Sequence, residues 1–331
     1  MMKRCKNCVL PETFPGISFN DQGVCNYCQS FRGHKHLQEE KQRYRQKFEN
    51  LIKQFQNQGS YDCLMAYSGG KDSTFTLHVL KKEYELNILA LTFDNGFISS
   101  TTFDNIRKVM DNLGIDHILM KPRFDLLKKI FNESSKNEIY PKKTLERAST
   151  ICTSCIGLIK FISLRTALEK NIPFITYGWS PGQAPITASI FKNNPTMLRQ
   201  MQQVIQAPLY NIVGKDINNY FLDDKTFGDS RGFPYNISPL AFLKYDEEKI
   251  FDTIKKLGWE KPEDTDANST NCLINSLGIK IHKDRYKFHP YASELAKLVR
   301  EGYLDRKEAI ARLESEEDQE ILKLVQKRLS K

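Results

Sequence analysis

The sequence predicts an α/β fold: an open parallel sheet with crossover helices, preceded by a small cysteine-rich segment and followed by a helical C-terminal region. Three observations predict it. Short apolar runs alternate with helix-favouring stretches between residues 61 and 177. A glycine turn, Gly69-Gly70, links the first run to a helical stretch, as in a strand–loop–helix unit. Two C-x-x-C pairs lie among the prolines and glycines of residues 1–31, where little core is available.

Taken in order, residues 36–58 place Leu37, Tyr44, Phe48, Leu51, Ile52 and Phe55 on one helical face, and Gly59-Ser60 ends that helix. Residues 61–67 read as a buried strand, 73–82 as a helix, 88–93 as a strand and 102–113 as a helix stopped by Gly114. Residues 117–120 read as a third strand, 155–169 as a helix and 173–177 as a further strand ending at Gly178. Beyond these, helices are expected near 246–257, 291–301 and 305–330. The expected organisation is a metal-ribbon segment over 1–35, the α/β domain over 36–240 and a mostly helical region over 241–331.

The 331 residues suffice for a large core, and 40% hydrophobic with 27% charged residues is an ordinary globular composition. No apolar run approaches the ~18 residues that cross a bilayer, and no apolar stretch follows the first basic residues. A cytoplasmic protein with no membrane partner is expected. The net charge of +9 suits an anionic partner such as a nucleotide, a sugar nucleotide or RNA. Eight cysteines in such a chain point to metal or redox chemistry rather than disulfides.

Ser68-Gly69-Gly70-Lys71-Asp72-Ser73 follows a strand and opens a helix. Unpaired N–H groups and the helix dipole favour an anion there, and two glycines let the backbone approach phosphate oxygens. Lys71 supplies a cation, Ser68 and Ser73 supply hydroxyls, and Asp72 could hold Mg²⁺. This is not the G-x-x-x-x-G-K-[ST] loop of common NTPases. It resembles the S-G-G-x-D-S signature of PP-loop ATP pyrophosphatases, with every fixed position matched. The resemblance implies that ATP adenylylates a substrate oxygen with release of pyrophosphate, after which nitrogen or sulfur displaces AMP. It also implies that the Phe93-Asp94 backbone lies near adenine and ribose, and that Gly178 lines the same cleft.

Cys5, Cys8, Cys25 and Cys28 have the spacing of a four-thiolate zinc ribbon, a closed and therefore structural site. The words around them, from Cys5-Lys6-Asn7-Cys8 to Cys25-Asn26-Tyr27-Cys28, resemble the opening of bacterial N-acetyl sugar amidotransferases of surface-polysaccharide and nonulosonic-acid pathways. That resemblance covers about half the chain. It implies conversion of an acetamido to an acetamidino group, with ammonia from a separate glutaminase partner.

Cys152, Cys155 and Cys272 form a second set. Three thiolates could be buried structural cysteines, a dithiol or sulfur carrier, or the ligands of a 4Fe–4S cluster with one iron open. The last arrangement is similar to that of Fe–S-dependent tRNA thiolases. Trp179 and Gln183 lie in a proline- and glycine-rich loop after a strand, a usual place for substrate contacts. His282, Lys283 and His289 are expected to pack and solvate, and Ser269, Thr270 and Asn271 could cap a helix or bind a ligand.

Three functions remain open at this level. The first is an ATP-dependent amidotransferase acting on an anionic sugar or sugar nucleotide. The second is an ATP-dependent, Fe–S-assisted sulfurtransferase acting on tRNA or a small metabolite. The third is a zinc-ribbon binding module without catalysis. Lys71, Asp72, Cys152, Cys155 and Cys272 are the candidate catalytic residues.

Overall fold

The computed structural model of the chain describes residues 2–228 and 232–330; the outer bounds expected at 1 and 331 lie outside the described residues. A six-stranded sheet forms the centre, built from β1 (Cys63–Ala66), β2 (Ile88–Phe93), β3 (Asp116–Met120), β4 (Phe174–Tyr177), β5 (Ile190–Lys192) and β6 (Tyr235–Ile237). Its order is β3-β2-β1-β4-β6-β5. All neighbours are parallel except the β5–β6 pair, an antiparallel edge that the sequence reading does not assign.

Strand burial follows position in this order. β2 and β4 are buried along their whole length, because helices cover both faces of a parallel sheet. β3 lies at the edge and is half-exposed. The chain leaves β1 toward β2 on one side and later returns to β4 on the other. The crevice at the carboxyl end of β1 is therefore the topological switch point, where ligands bind in open α/β sheets.

Helices of two turns or more are α1 (His34–Phe55), α2 (Lys71–Lys82), α3 (Ser100–Leu113), α4 (Phe124–Lys136), α5 (Thr150–Glu169), α6 (Pro195–Val213), α7 (Glu247–Lys255), α8 (Ile274–Tyr286), α9 (Ala292–Arg300), α10 (Arg306–Glu314) and α11 (Gln319–Ser330). Gly114 ends α3 in the left-handed conformation expected of a C-terminal glycine.

Four differences from the sequence reading have physical causes. The helix expected over 305–330 is two helices, because Ser315 turns extended and Asp318 caps α11 through Glu320 N at 2.8 Å. α5 begins at Thr150, not 155, because Ser149 caps it by accepting from Cys152 N. α6 is hidden in sequence by Asn194-Pro195 at its start and by Pro208 within it. Finally, α5 is long and apolar enough to cross a membrane, contrary to the expectation that no segment is; 61% of its most apolar window is buried inside the fold.

Two apolar clusters flank the sheet. One joins Cys5, Cys8 and Phe14 of the N-terminal segment to α1, α2, α3 and residues 240–313. The other joins α4, α5 and α6 to α8 and α11. The C-terminal helices thus divide between the two faces.

Candidate active site and metal centre

The loop from Ser68 to Ser73 leaves β1 and enters α2 at the switch point. Gly69 holds a φ of +76°, and a Cβ there would lie 2.6 Å from Thr102 Cγ2, so glycine is required. The loop is laced internally: Ser68 Oγ lies 3.0 Å from Ser73 Oγ, and Ser73 Oγ donates to Gly70 O at 2.9 Å. Trp259 Nε1 donates to Gly69 O at 2.9 Å from beneath. Gly178, at the end of β4, meets the start of α2 so closely that a Cβ would fall 2.3 Å from Ser73 Cα.

Lys71 Nζ sits among Asp72 Oδ1 at 2.8 Å, Tyr245 OH at 3.0 Å and Glu247 Oε1 at 3.1 Å. Burial alone would lower its pKa, but these oxygens hold it well above the usual lysine range. Glu247 in turn pairs with Arg312, which with Lys71 keeps its carboxyl below the usual range despite burial.

A segment distant in sequence closes the loop from above. Thr270 Oγ1 accepts from Lys71 N at 3.1 Å, and Asn271 Nδ2 donates to Ser68 O at 3.2 Å. Asp266 stiffens this segment by accepting from Asn268 N, Ser269 N and Asn275 Nδ2. The segment also bridges to the turn after β2, through Ser99 N to Asn271 O and Leu273 N to Phe97 O.

Beside the loop lies a cavity of about 310 Å³, within the range of small-molecule sites. Phe93 and Asn95 line it, whereas the Asp94 carboxylate turns to Gly96 N at 2.8 Å and Lys121 Nζ at 3.4 Å. Cys152, Cys155 and Cys272 share one wall. Asn95 Nδ2 stands between two of them, 3.7 Å from Cys155 Sγ and 3.3 Å from Cys272 Sγ. Cys152 Sγ donates to Asn275 Oδ1 at 3.3 Å. Burial pushes the Cys152 thiol up to about 12 and raises the other two. Among the described residues the three sulfurs do not converge to single-ion spacing. Three thiols lining one cavity, two of them beside Asn95 Nδ2, are a donor set of the type that an Fe–S cluster takes.

The cavity lining also carries groups that sequence reasoning did not single out. Glu294 Oε1 accepts from Ser180 Oγ at 2.7 Å, and burial pushes its carboxyl up to about 7. Lys160 Nζ lies 4.8 Å over the Trp179 ring, and burial lowers its pKa to about 8. Trp179 itself stacks on Tyr177 at 5.0 Å, and Gln183 Oε1 accepts from Ser180 N. Tyr245, Glu247, Glu294 and Arg312 lack any local pattern; only the fold brings them together. His282 packs on Tyr286 and Phe288, His289 Nδ1 accepts from Tyr291 N, and Lys283 pairs with Glu317, so all three serve packing and surface pairing.

At the far end of the first cluster, the sulfurs of Cys5, Cys8, Cys25 and Cys28 all lie within 4.8 Å of one another. The Cys5–Cys28 and Cys8–Cys25 separations are 3.8 and 3.7 Å. A zinc tetrahedron with Zn–S bonds of about 2.3 Å has edges near ~3.8 Å, so the four thiols fit that ion as they stand. Cys25 N donates to Cys5 Sγ at 3.2 Å, which favours a thiolate. Replacing Cys8 by serine is expected to abolish the uptake of about one equivalent of metal per chain. It should also open residues 2–31 to protease; metal analysis with limited proteolysis checks both.

A family model described as queuosine biosynthesis protein QueC matches residues 62–156. Over 256 residues the chain is 25% identical to an uncharacterised protein of Methanocaldococcus jannaschii, MJ1599, a match spanning 77% of this chain and 73% of that one. Among solved structures, the U34-tRNA thiolase NcsA of Methanococcus maripaludis, with its 4Fe–4S cluster, is similar at a TM-score of 0.37 and 18% identity, over 92% of this chain and 87% of its own. NMN synthetase of Francisella tularensis is similar at a TM-score of 0.35 and 13% identity, over 89% and 93%. NH3-dependent NAD synthetase of Campylobacter jejuni is similar at a TM-score of 0.35 and 11% identity, over 85% and 98%. The family model spans the Ser68–Ser73 loop and its setting between a buried strand and a helix, so over residues 62–156 the chain carries the signature of the PP-loop ATP pyrophosphatase superfamily.

Proposed function

We propose that this enzyme adenylylates an oxygen of an N-acetyl sugar and replaces that oxygen with nitrogen. The observation that carries the reading is the Ser68–Ser73 loop, bounded by Lys71, Thr270 and Asn271 and lining a cavity of about 310 Å³. The substrate oxygen attacks the α-phosphorus of ATP, and the bond to pyrophosphate breaks. The loop N–H groups and Lys71 receive the departing pyrophosphate, stabilising charge as it develops. In this reading Asp72 would turn from Lys71 to hold Mg²⁺ beside them. Ammonia then adds to the activated carbon, AMP leaves with the oxygen, and a proton is given up. Glu294, with a carboxyl titrating near neutrality, is placed on the cavity wall to accept it. The wording of the N-terminal cysteine segment supports the sugar class, and a net charge of +9 suits an anionic sugar or sugar nucleotide. The four N-terminal cysteines hold zinc in this reading, and a separate glutaminase supplies the ammonia.

A second reading draws on one observation, the three thiols grouped on the cavity wall. If Cys152, Cys155 and Cys272 hold a 4Fe–4S cluster, sulfur takes the place of nitrogen, and the acceptor is tRNA or a small metabolite. The residues fit such a group; when bound, it would present sulfide to the activated carbon. Anaerobic purification separates the two readings. The nitrogen reading expects a colourless, zinc-only protein that releases AMP and pyrophosphate with an N-acetyl sugar and ammonium. A brown protein whose turnover requires iron and labile sulfide would overturn it.

A further inference from the structure

The cysteine knuckles and the phosphate loop belong to different segments of the chain, yet one short helix touches both. α10 is capped by Asp305, whose carboxylate accepts from Lys307 N at 2.7 Å and Glu308 N at 3.3 Å. In its first turn Arg306 donates from Nε to Cys8 O and from Nη2 to Cys5 O, both at 2.9 Å. These carbonyls belong to two of the four clustered cysteines, so their direction follows the geometry of the closed knuckle. Arg4 of the same segment reaches Glu314 at the other end of α10, at 3.4 Å.

Six residues beyond Arg306, about 9 Å along the helix axis, Arg312 faces the cavity. Its guanidinium donates to both oxygens of Glu247, at 3.3 and 2.5 Å, and Glu247 Oε1 lies 3.1 Å from Lys71 Nζ. The main chain of Arg312 makes a second link: its carbonyl accepts from Asn268 Nδ2 at 3.3 Å. Asn268 belongs to the segment whose Thr270 and Asn271 close over Lys71 N and Ser68 O. One helix therefore holds the phosphate loop by a charge route and by a backbone route.

We infer that Arg306 and Arg312 are positioning residues for the phosphate loop, and that α10 links metal occupancy of the knuckles to ATP affinity. The inference rests on reading Ser68–Ser73 as the ATP site. Its physical basis is competition for a carboxylate. To turn toward phosphate, Lys71 must leave Glu247, and Glu247 stays neutralised only while Arg312 remains beside it. A knuckle that opens releases Arg306 and lets α10 shift. Glu247 then falls back on Lys71 and competes with the nucleotide. Because linkage is reciprocal, bound ATP must also raise the affinity of the knuckles for their metal by the same factor.

The test uses the full chain carrying its metal. Partition of zinc between the protein and the zinc-selective chelator TPEN is followed to equilibrium with and without saturating Mg-ATP, and ATP binding is measured by calorimetry. In the wild type, ATP is expected to tighten metal binding about 5–10-fold. Arg306→Ala should retain its metal and its helical content, bind ATP about 5–10-fold more weakly, and hold its metal with an affinity that ATP no longer changes. Arg312→Ala should do the same, and Arg306→Lys, which keeps one donor to the carbonyls, should recover part of the coupling. The inference is overturned if wild-type protein binds ATP while its metal affinity ignores the nucleotide, or if Arg306→Ala binds ATP as the wild type does. A wild type that binds no ATP would instead remove the reading of the loop, and the inference with it.

Discussion

Replacing Lys71 by alanine is expected to weaken ATP binding by about 10- to 100-fold, the worth of one charge-assisted hydrogen bond in a sheltered site. Lys71 is the loop's own cation, and its ammonium is already held charged by Asp72, Tyr245 and Glu247. Without it, two carboxylates face the incoming triphosphate with less compensation, so the loss should sit at the upper end of that range. The fold should survive, because Glu247 keeps Arg312 as a partner and the loop keeps its Ser68–Ser73 and Trp259 hydrogen bonds. Calorimetry with ATP, alongside circular dichroism, checks the expectation. Undiminished affinity in a folded Lys71→Ala protein would exclude the loop as the nucleotide's phosphate site.

The second large effect concerns Gly178. A Cβ there would stand 2.3 Å from Ser73 Cα and 2.7 Å from Ser73 N, both backbone atoms at the start of α2. No rotamer relieves such a contact; β4 and the phosphate loop must move apart. Gly178→Ala should therefore cost about 1–3 kcal/mol or more of stability and displace the loop enough to abolish ATP binding. Gly59→Ala is a suitable control, since its nearest neighbour, Tyr61 O, lies 3.9 Å away. Thermal unfolding and calorimetry on both variants decide the matter. An alanine at 178 with wild-type stability and affinity would show that the strand end and the loop are not locked together.

The parallel sheet was legible because its central strands are buried on both faces, which leaves continuous apolar runs at 63–66, 88–93 and 174–177. The Ser68–Ser73 turn between β1 and α2 was legible because its two glycines, its cation and its hydroxyls stand in consecutive positions after an apolar run. The four N-terminal cysteines were legible for a similar reason, since each knuckle is local in sequence. What could not be read was assembled by the fold. β5 and β6 are three residues each, too short to show a period. Tyr245, Glu247, Glu294 and Arg312 come from separate helices and turns, and nothing near each of them marks a common destination. Thr270 and Asn271 stood next to a candidate cysteine, but a hydroxyl and an amide in a loop suit a helix cap as well as a lid over Lys71. The chain-length periodicity also misjudged α5, because it weighs polarity by sequence and cannot see which apolar helix a protein intends to bury.

That helix has a consequence for how the chain is made. Of the elements packed on α5, α4 and β1 precede it in the chain, whereas α8 begins only at Ile274, well after α5 closes at Glu169. During synthesis at about 5–20 residues per second, one face of an apolar twenty-residue helix waits for several seconds with that cover still unmade. Recombinant yield is therefore expected to respond to the supply of chaperones that shield apolar helices. Fragments that stop before Ile274, however attractive for isolating the α/β half, leave that face uncovered and invite aggregation.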